Sequence, residues 1–189
     1  QVKFWQADDW RTGRLSVPPP FNLPNRPAVM VTWYEALAFA RWLNDELHQA
    51  GRLEKDWCVH LPTEAEWEKA ARGKDGLEYP WGPDPDPNCA NYDDTNIRST
   101  SAVGCFPSGH SPYQVEEMAG NVWEWTRSLD KPYPYVAEDG RENLGAPASE
   151  ARVMRGGSYN DQTDLARCAY RLSDYPLNWP GDLGFRLVA

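Results

Sequence analysis

The hydrophobic pattern changes period along this chain, and the changes mark its elements. Trp33, Leu37, Ala40, Leu43 and Leu47 recur at helical spacing, so one apolar stripe runs along a segment that ends at Gly51. Thr32-Trp33-Tyr34-Glu35 supplies its start: the Thr hydroxyl caps a free backbone N–H while the Glu carboxylate reaches back to the cap. Thr63 and Glu66 repeat that logic and predict a second helix running to about Arg72 and ending at Gly73. Short strands are predicted at Cys58–Leu61, Val122–Thr126, Arg152–Arg155, Arg167–Arg171 and Leu183–Val188. Between Lys74 and Ser111 no period is sustained, and turn dipeptides surround the Tyr79-Pro80-Trp81-Gly82 anchor. So much irregular chain in a compact domain usually serves a site or a structural ion. Helices first and short strands afterwards predict an α+β fold.

The densest stretch is Glu117-Met118-Ala119-Gly120-Asn121-Val122-Trp123-Glu124-Trp125. Trp123 and Trp125 lie two apart and share one face of an extended segment, with Val122 and Glu124 on the other. Gly120-Asn121 supplies a turn, because both residues tolerate positive φ, and the carboxylates of Glu117 and Glu124 can converge across it with the intervening carbonyls. Two readings stand side by side: an oxygen-rich metal nest, or a tight turn entering a buried strand with two solvated glutamates.

Composition narrows the function classes. A chain of 189 residues, 41% hydrophobic and 13% aromatic, suffices for one packed domain. Ten Trp, nine Tyr and 17 Pro, with a mean hydropathy of -0.72, describe a loop-rich protein with a few large aromatic anchors. The proline-rich opening, with Trp5, Trp10 and Pro18-Pro19-Pro20, reads as a wrapping arm over residues 1–20, ahead of a domain spanning 21–189. A net charge of -9 argues against nucleic acid and against an anionic membrane surface, and no apolar run is long enough for membrane insertion. Cys58, Cys89, Cys105 and Cys168 show neither zinc nor redox spacing; free thiols without a signal peptide favour the cytoplasm.

Six motifs in fixed order carry a resemblance: Val31-Thr32-Trp33-Tyr34-Glu35-Ala36, Leu61-Pro62-Thr63-Glu64-Ala65-Glu66-Trp67-Glu68, Tyr79-Pro80-Trp81-Gly82, Met118 to Trp125, Arg155-Gly156-Gly157-Ser158 and Gly184-Phe185-Arg186. From Phe21 onward the chain resembles the formylglycine-generating enzyme, or sulfatase-modifying factor, family, although the strands that usually open that family's domain are missing. The resemblance implies a modified C-type lectin fold, two helices with small twisted antiparallel sheets and much irregular loop. It implies structural Ca²⁺ held by side chains of Glu117 and Glu124 and carbonyls of Gly120 and Val122, with Asn91 and Tyr92 opening a second calcium loop. The family's oxidase binds Cu(I) through two cysteines between its Gly-Gly-Ser motif and the next strand. Tyr159 to Ala166 here contains no cysteine, so no copper and no enzymatic activity are expected. Other enzymatic members hold iron on histidines of an extra helical domain, and His48, His60 and His110 form no such set.

What the resemblance leaves is a scaffold presenting a surface. Asn160, Asp161, Thr163, Asp164, Tyr170, Leu172, Ser173, Asp174, Tyr175, Leu177, Asn178 and Trp179 form a polar and aromatic set between family motifs, the residue types that adaptable binding surfaces use. That arrangement is similar to the variable proteins of diversity-generating retroelements. The expected function is a non-catalytic protein that binds a protein or other macromolecular ligand through residues 159–182, with Tyr170, Tyr175 and Trp179 as anchors on one contiguous patch. The alternatives are a formylglycine-generating-type oxidase or oxygenase, and a regulatory interaction domain of a larger kinase or protease.

Overall fold

The computed structural model describes residue 21 and residues 23–189; the expected arm over residues 1–20 lies outside them. Helix α1 spans Trp33–Gln49 and α2 spans Glu64–Arg72. Both start as their sequences dictate: Thr32 and Thr63 each close a complete capping box with Glu35 and Glu66. Helix α2 ends at Gly73, whose φ of 67° suits a residue without Cβ.

Four strands follow: β1 (Trp123–Leu129), β2 (Arg152–Arg155), β3 (Arg171–Asp174) and β4 (Leu183–Phe185). They form one sheet in the order β3-β2-β1-β4. The β1–β2 and β2–β3 pairs are antiparallel, but β4 lies parallel to β1 on its other edge. The sheet is therefore mixed, which corrects the expectation of purely antiparallel sheets; β2 already fills one edge of β1, so the chain must cross over from β3 to reach the other. The predicted strand at Cys58–Leu61 reduces to one antiparallel bridge between His60 and Val188. The strand predicted at Arg167–Arg171 begins only at Arg171, because the preceding residues turn inward: Tyr170 N–H donates to the Arg167 carbonyl and Cys168 N–H to the Glu78 carbonyl.

The main core joins Val31, Trp33, Leu37, Leu61, Trp123, Trp125, Met154 and Leu183. Phe185 is only partly buried against it, packed 5.7 Å from Phe39. The opposite face of β1 is covered too, by Trp67, Ala71, Met118 and Cys168. With both faces roofed, Glu124 is buried at 6% exposure instead of solvated. Buried arginines also join the frame: Arg152 lies 4.0 Å from the Trp33 ring and donates to the Arg127 and Asn143 carbonyls, while Arg155 pairs with Glu68.

Candidate functional site

Two regions gather the nominated residues, and the first is the coil leading into β1. Glu117, Gly120 and Asn121 all take positive φ, at 56°, 69° and 65°. Gly120 is required there, since an added Cβ would sit 2.2 Å from the Asn91 carbonyl oxygen. Asn121 N–H donates to that carbonyl, and Gly120 N–H to the carbonyl of Gly156. The buried Asn121 side chain accepts from Ser101 N–H at 2.9 Å and donates to Glu117 Oε2 at 3.3 Å.

Glu117, Gly120, Val122 and Glu124 line one cavity of about 220 Å³, together with Glu116 and Arg186. Glu124 Oε2 accepts from Trp67 Nε1 at 2.6 Å and from Arg186 Nε, and its Oε1 accepts from Arg186 Nη2 at 2.6 Å. Arg186 also donates to the Glu117 carbonyl at 2.7 Å. Burial opposes the Arg186 charge, but Glu124 and Glu117 more than offset it and hold its pKa above the ordinary guanidinium value. Burial pushes the Glu117 carboxyl up, against the lowering bonds from Gly104 and Asn121.

The donors here are the hard oxygens that divalent cations take, and Arg186 already bonds both oxygens of Glu124. Two carboxylates, Glu117 and Glu124, lie with the one Arg186 guanidinium, a surplus of one negative charge, while the exposed Glu116 meets Arg186 through its backbone carbonyl. Glu124 Oε1 and each Glu117 oxygen accept a single bond, leaving lone pairs for a metal. Among the described residues no three His, Cys, Asp or Glu side chains cluster as ligands, so an ion here would draw on the Gly120 and Val122 carbonyls as well. The second nominated loop differs. Asn91 is fully buried and its amide serves Ser99, Ser101 and Thr95, while the Tyr92 carbonyl accepts from Thr95. Those two residues brace the first loop and do not line its cavity. Sequence reasoning passed over Asn121, Arg186 and Trp67 as parts of this site, although each stood in one of the six motifs, Asn121 in Met118 to Trp125, Trp67 in Leu61 to Glu68 and Arg186 in Gly-Phe-Arg.

The second region, residues 159–182, divides in the structure. Asp161 turns inward and accepts from the Ser158 N–H and hydroxyl at 2.8 and 2.7 Å. Thr163 opens a 3₁₀ turn and donates to Asp94 at 3.1 Å, leaving Asn160 and Asp164 exposed beside it. Tyr170 is not a free anchor: it is partly buried against the main core, 6.2 Å from the Trp123 ring. Beyond it Ser173 donates to Asp130, and Leu172, Tyr175, Leu177 and Trp179 stand exposed, the last two at 61%. The twelve nominated residues thus divide: Asp161 and Thr163 bond to the 93–94 loop, Tyr170 packs on the core, Ser173 bonds to Asp130, and the exposed apolar display lies between Leu172 and Trp179.

Where the family oxidase has its cysteine pair, this chain offers only Cys168 nearby. It is fully buried, and burial pushes its thiol up to about 12, so it holds no thiolate at neutral pH. Cys58 and Cys105 are exposed, and none of the four is in a disulfide. Among the described residues no helix is long and apolar enough to cross a membrane.

The fold and these motifs define a formylglycine-generating-type domain. Residues 3–189 match the sulfatase-modifying factor enzyme 1-like domain, and the chain belongs to that family. It is 35% identical over 200 residues to hercynine oxygenase of Mycolicibacterium thermoresistibile, covering 98% of this chain and 40% of the relative. It is 36% identical over 181 residues to formylglycine-generating enzyme of Streptomyces coelicolor, covering 86% and 52%. The chain therefore spans about half or less of the length of these relatives. Among solved structures, Treponema denticola variable protein 1 superposes with a TM-score of 0.71 at 26% identity, covering 91% of this chain and 74% of that one. The expectation that the chain is not an enzyme is corrected by the first two relatives. At about 35% identity this family includes named enzymes, so the missing cysteine pair bears on copper-thiolate chemistry and not on catalysis at large.

Proposed function

We propose that this domain is a ligand-recognition scaffold whose contact surface runs from Leu172 to Pro180. One observation carries the reading: Leu172, Tyr175, Leu177 and Trp179 are exposed together on a short segment whose backbone is pinned. Pro176 is buried and its carbonyl accepts from Trp33 N–H at the start of α1, while Asn178 N–H closes a turn on the Tyr175 carbonyl. Large apolar side chains held on a fixed turn lose little entropy when they bind, and aromatic anchors dominate interface energetics. The likeness to a variable protein supports this reading. The test is a screen of the purified protein against a random peptide library and a glycan array, beside the variant Tyr175→Ala/Leu177→Ala/Trp179→Ala. Binding should fall about tenfold or more in the variant, with its melting temperature unchanged; undiminished binding places recognition elsewhere.

A second reading rests on the hercynine oxygenase relative, of which this chain corresponds to 40%. There the same surface holds the substrate of a larger oxygenase. Oxygen consumption by the full-length protein with iron(II) and a thiol, lost in the triple variant, is the result that selects it.

We also propose that the Glu117–Glu124 cavity holds one structural Ca²⁺. Its surplus of one negative charge, Glu117 and Glu124 against Arg186, and its positive-φ coil support this, and the ion's part would be to neutralise the cavity and fix the coil that feeds β1.

A further inference from the structure

The recognition turn encloses an open pocket of about 360 Å³, walled by Asp174, Asn178, Trp179 and Pro180. Asp174 Oδ1 accepts from Tyr175 N–H at 2.8 Å and from Asn178 Nδ2 at 2.6 Å, which fixes the carboxylate and the amide relative to each other. The cations that could neutralise Asp174 are engaged elsewhere. Arg171, on the same strand, pairs with Glu64 and Asp130. Arg152, opposite Asp174 in the β2–β3 register, donates to the Arg127 and Asn143 carbonyls. Among the described residues Asp174 has no ion-pair partner.

The charge left without an ion-pair partner then selects a ligand chemistry. The walls offer the pocket two acceptor oxygens, Asp174 Oδ2 and Asn178 Oδ1, beside the second Asn178 amide hydrogen and the Trp179 indole N–H, and Asp174 is the one formal charge among them. A hydroxyl-rich ligand such as a sugar leaves the Asp174 charge uncompensated, whereas a guanidinium or ammonium neutralises it. The exposed Trp179 ring adds an electron-rich face suited to a cation. Charge on the segment points the same way: from Tyr159 to Asp182 there are four aspartates against two arginines. Asp94 and Asp130 bond onto it from neighbouring loops.

We infer that this pocket takes an arginine or lysine side chain of a peptide or protein ligand, with Asp174 pairing its charge and Trp179 covering its stem. The inference rests on the recognition reading above and specifies what that surface recognises. Because Asp174→Asn keeps an oxygen acceptor for Tyr175 N–H, the variant should retain the turn, which an unchanged melting temperature verifies.

The experiment selects peptides on the whole protein from a random library, then compares each selected peptide with versions carrying citrulline for Arg or norleucine for Lys. Selected peptides should share a basic residue. Its neutral replacement should weaken binding about five- to tenfold in the native protein and leave it nearly unchanged in Asp174→Asn. Neutral or acidic selected peptides, or equal discrimination in both proteins, overturn the cationic pocket. Glycan binding lost in Trp179→Ala overturns it in favour of a sugar. If instead the triple variant keeps full affinity for every selected peptide, the recognition surface itself is misplaced and both proposals fall.

Discussion

Glu124→Gln leaves the shape of the cavity almost intact but removes the charge that holds Arg186. The native carboxylate accepts from Trp67 and twice from Arg186, at 8% side-chain exposure. The variant presents an amide whose NH₂ faces donors and leaves the guanidinium without its main counter-charge. Breaking a buried pair costs roughly 3–5 kcal/mol. Arg186 keeps about a fifth of its side chain accessible, so the expected loss is about 2–4 kcal/mol. For a chain of this size each kcal/mol lowers the melting temperature by about 2–4 °C, a shift that calorimetry or denaturant unfolding resolves in excess chelator. Adding Arg186→Met removes the orphaned charge, so the double variant should be more stable than the sum of the singles by about 1–3 kcal/mol. A Glu124→Gln protein within about 0.5 kcal/mol of native, or strictly additive losses, would refute the pairing as a stabilising contact.

Glu117 links the same cavity to pH. Its folded pKa is raised above the ordinary 4.5, so its contribution favours the fold below that value and is lost as pH rises through the folded pKa. In chelator, the stability of Glu117→Gln relative to native should therefore rise as pH is raised from about 4.5 to 7, even though its amide NH₂ must face one of the two donors that the carboxylate accepts from; millimolar Ca²⁺ should raise the native melting temperature and not the variant's. If neither chelator nor Ca²⁺ moves the native transition, the calcium proposal fails. Gly120→Ala should cost about 2–4 kcal/mol, since its Cβ meets the Asn91 carbonyl at a positive φ; denaturant unfolding checks it. A chromogenic thiol reagent at pH 8 should count the two exposed cysteines, Cys58 and Cys105, in the native protein and all four after unfolding. Fast native labelling of Cys168 would contradict its burial.

Local physics made part of this protein readable from its residues alone. A capping box needs only four consecutive side chains, so Thr32–Glu35 and Thr63–Glu66 announced both helices, and Gly73 announced where α2 stops. Period-two spacing put Trp123 and Trp125 in the core, and the residue types from Glu117 to Glu124 marked a coil whose carbonyls and carboxylates share a cavity. What depended on distant partners was not readable in this way. The place of β4 depends on which edge of β1 remained free and its parallel direction on the crossover from β3, and Glu124 is buried because α2 and Arg186 cover it on the second face of β1. Tyr170 and Trp179 look alike in sequence, as aromatics in one polar stretch, yet Trp123 draws the first inward while the turn anchored at Pro176 holds the second in solvent. A side chain's type is written locally, but its exposure is set by whatever the rest of the chain packs beside it, and only the tertiary structure decides that.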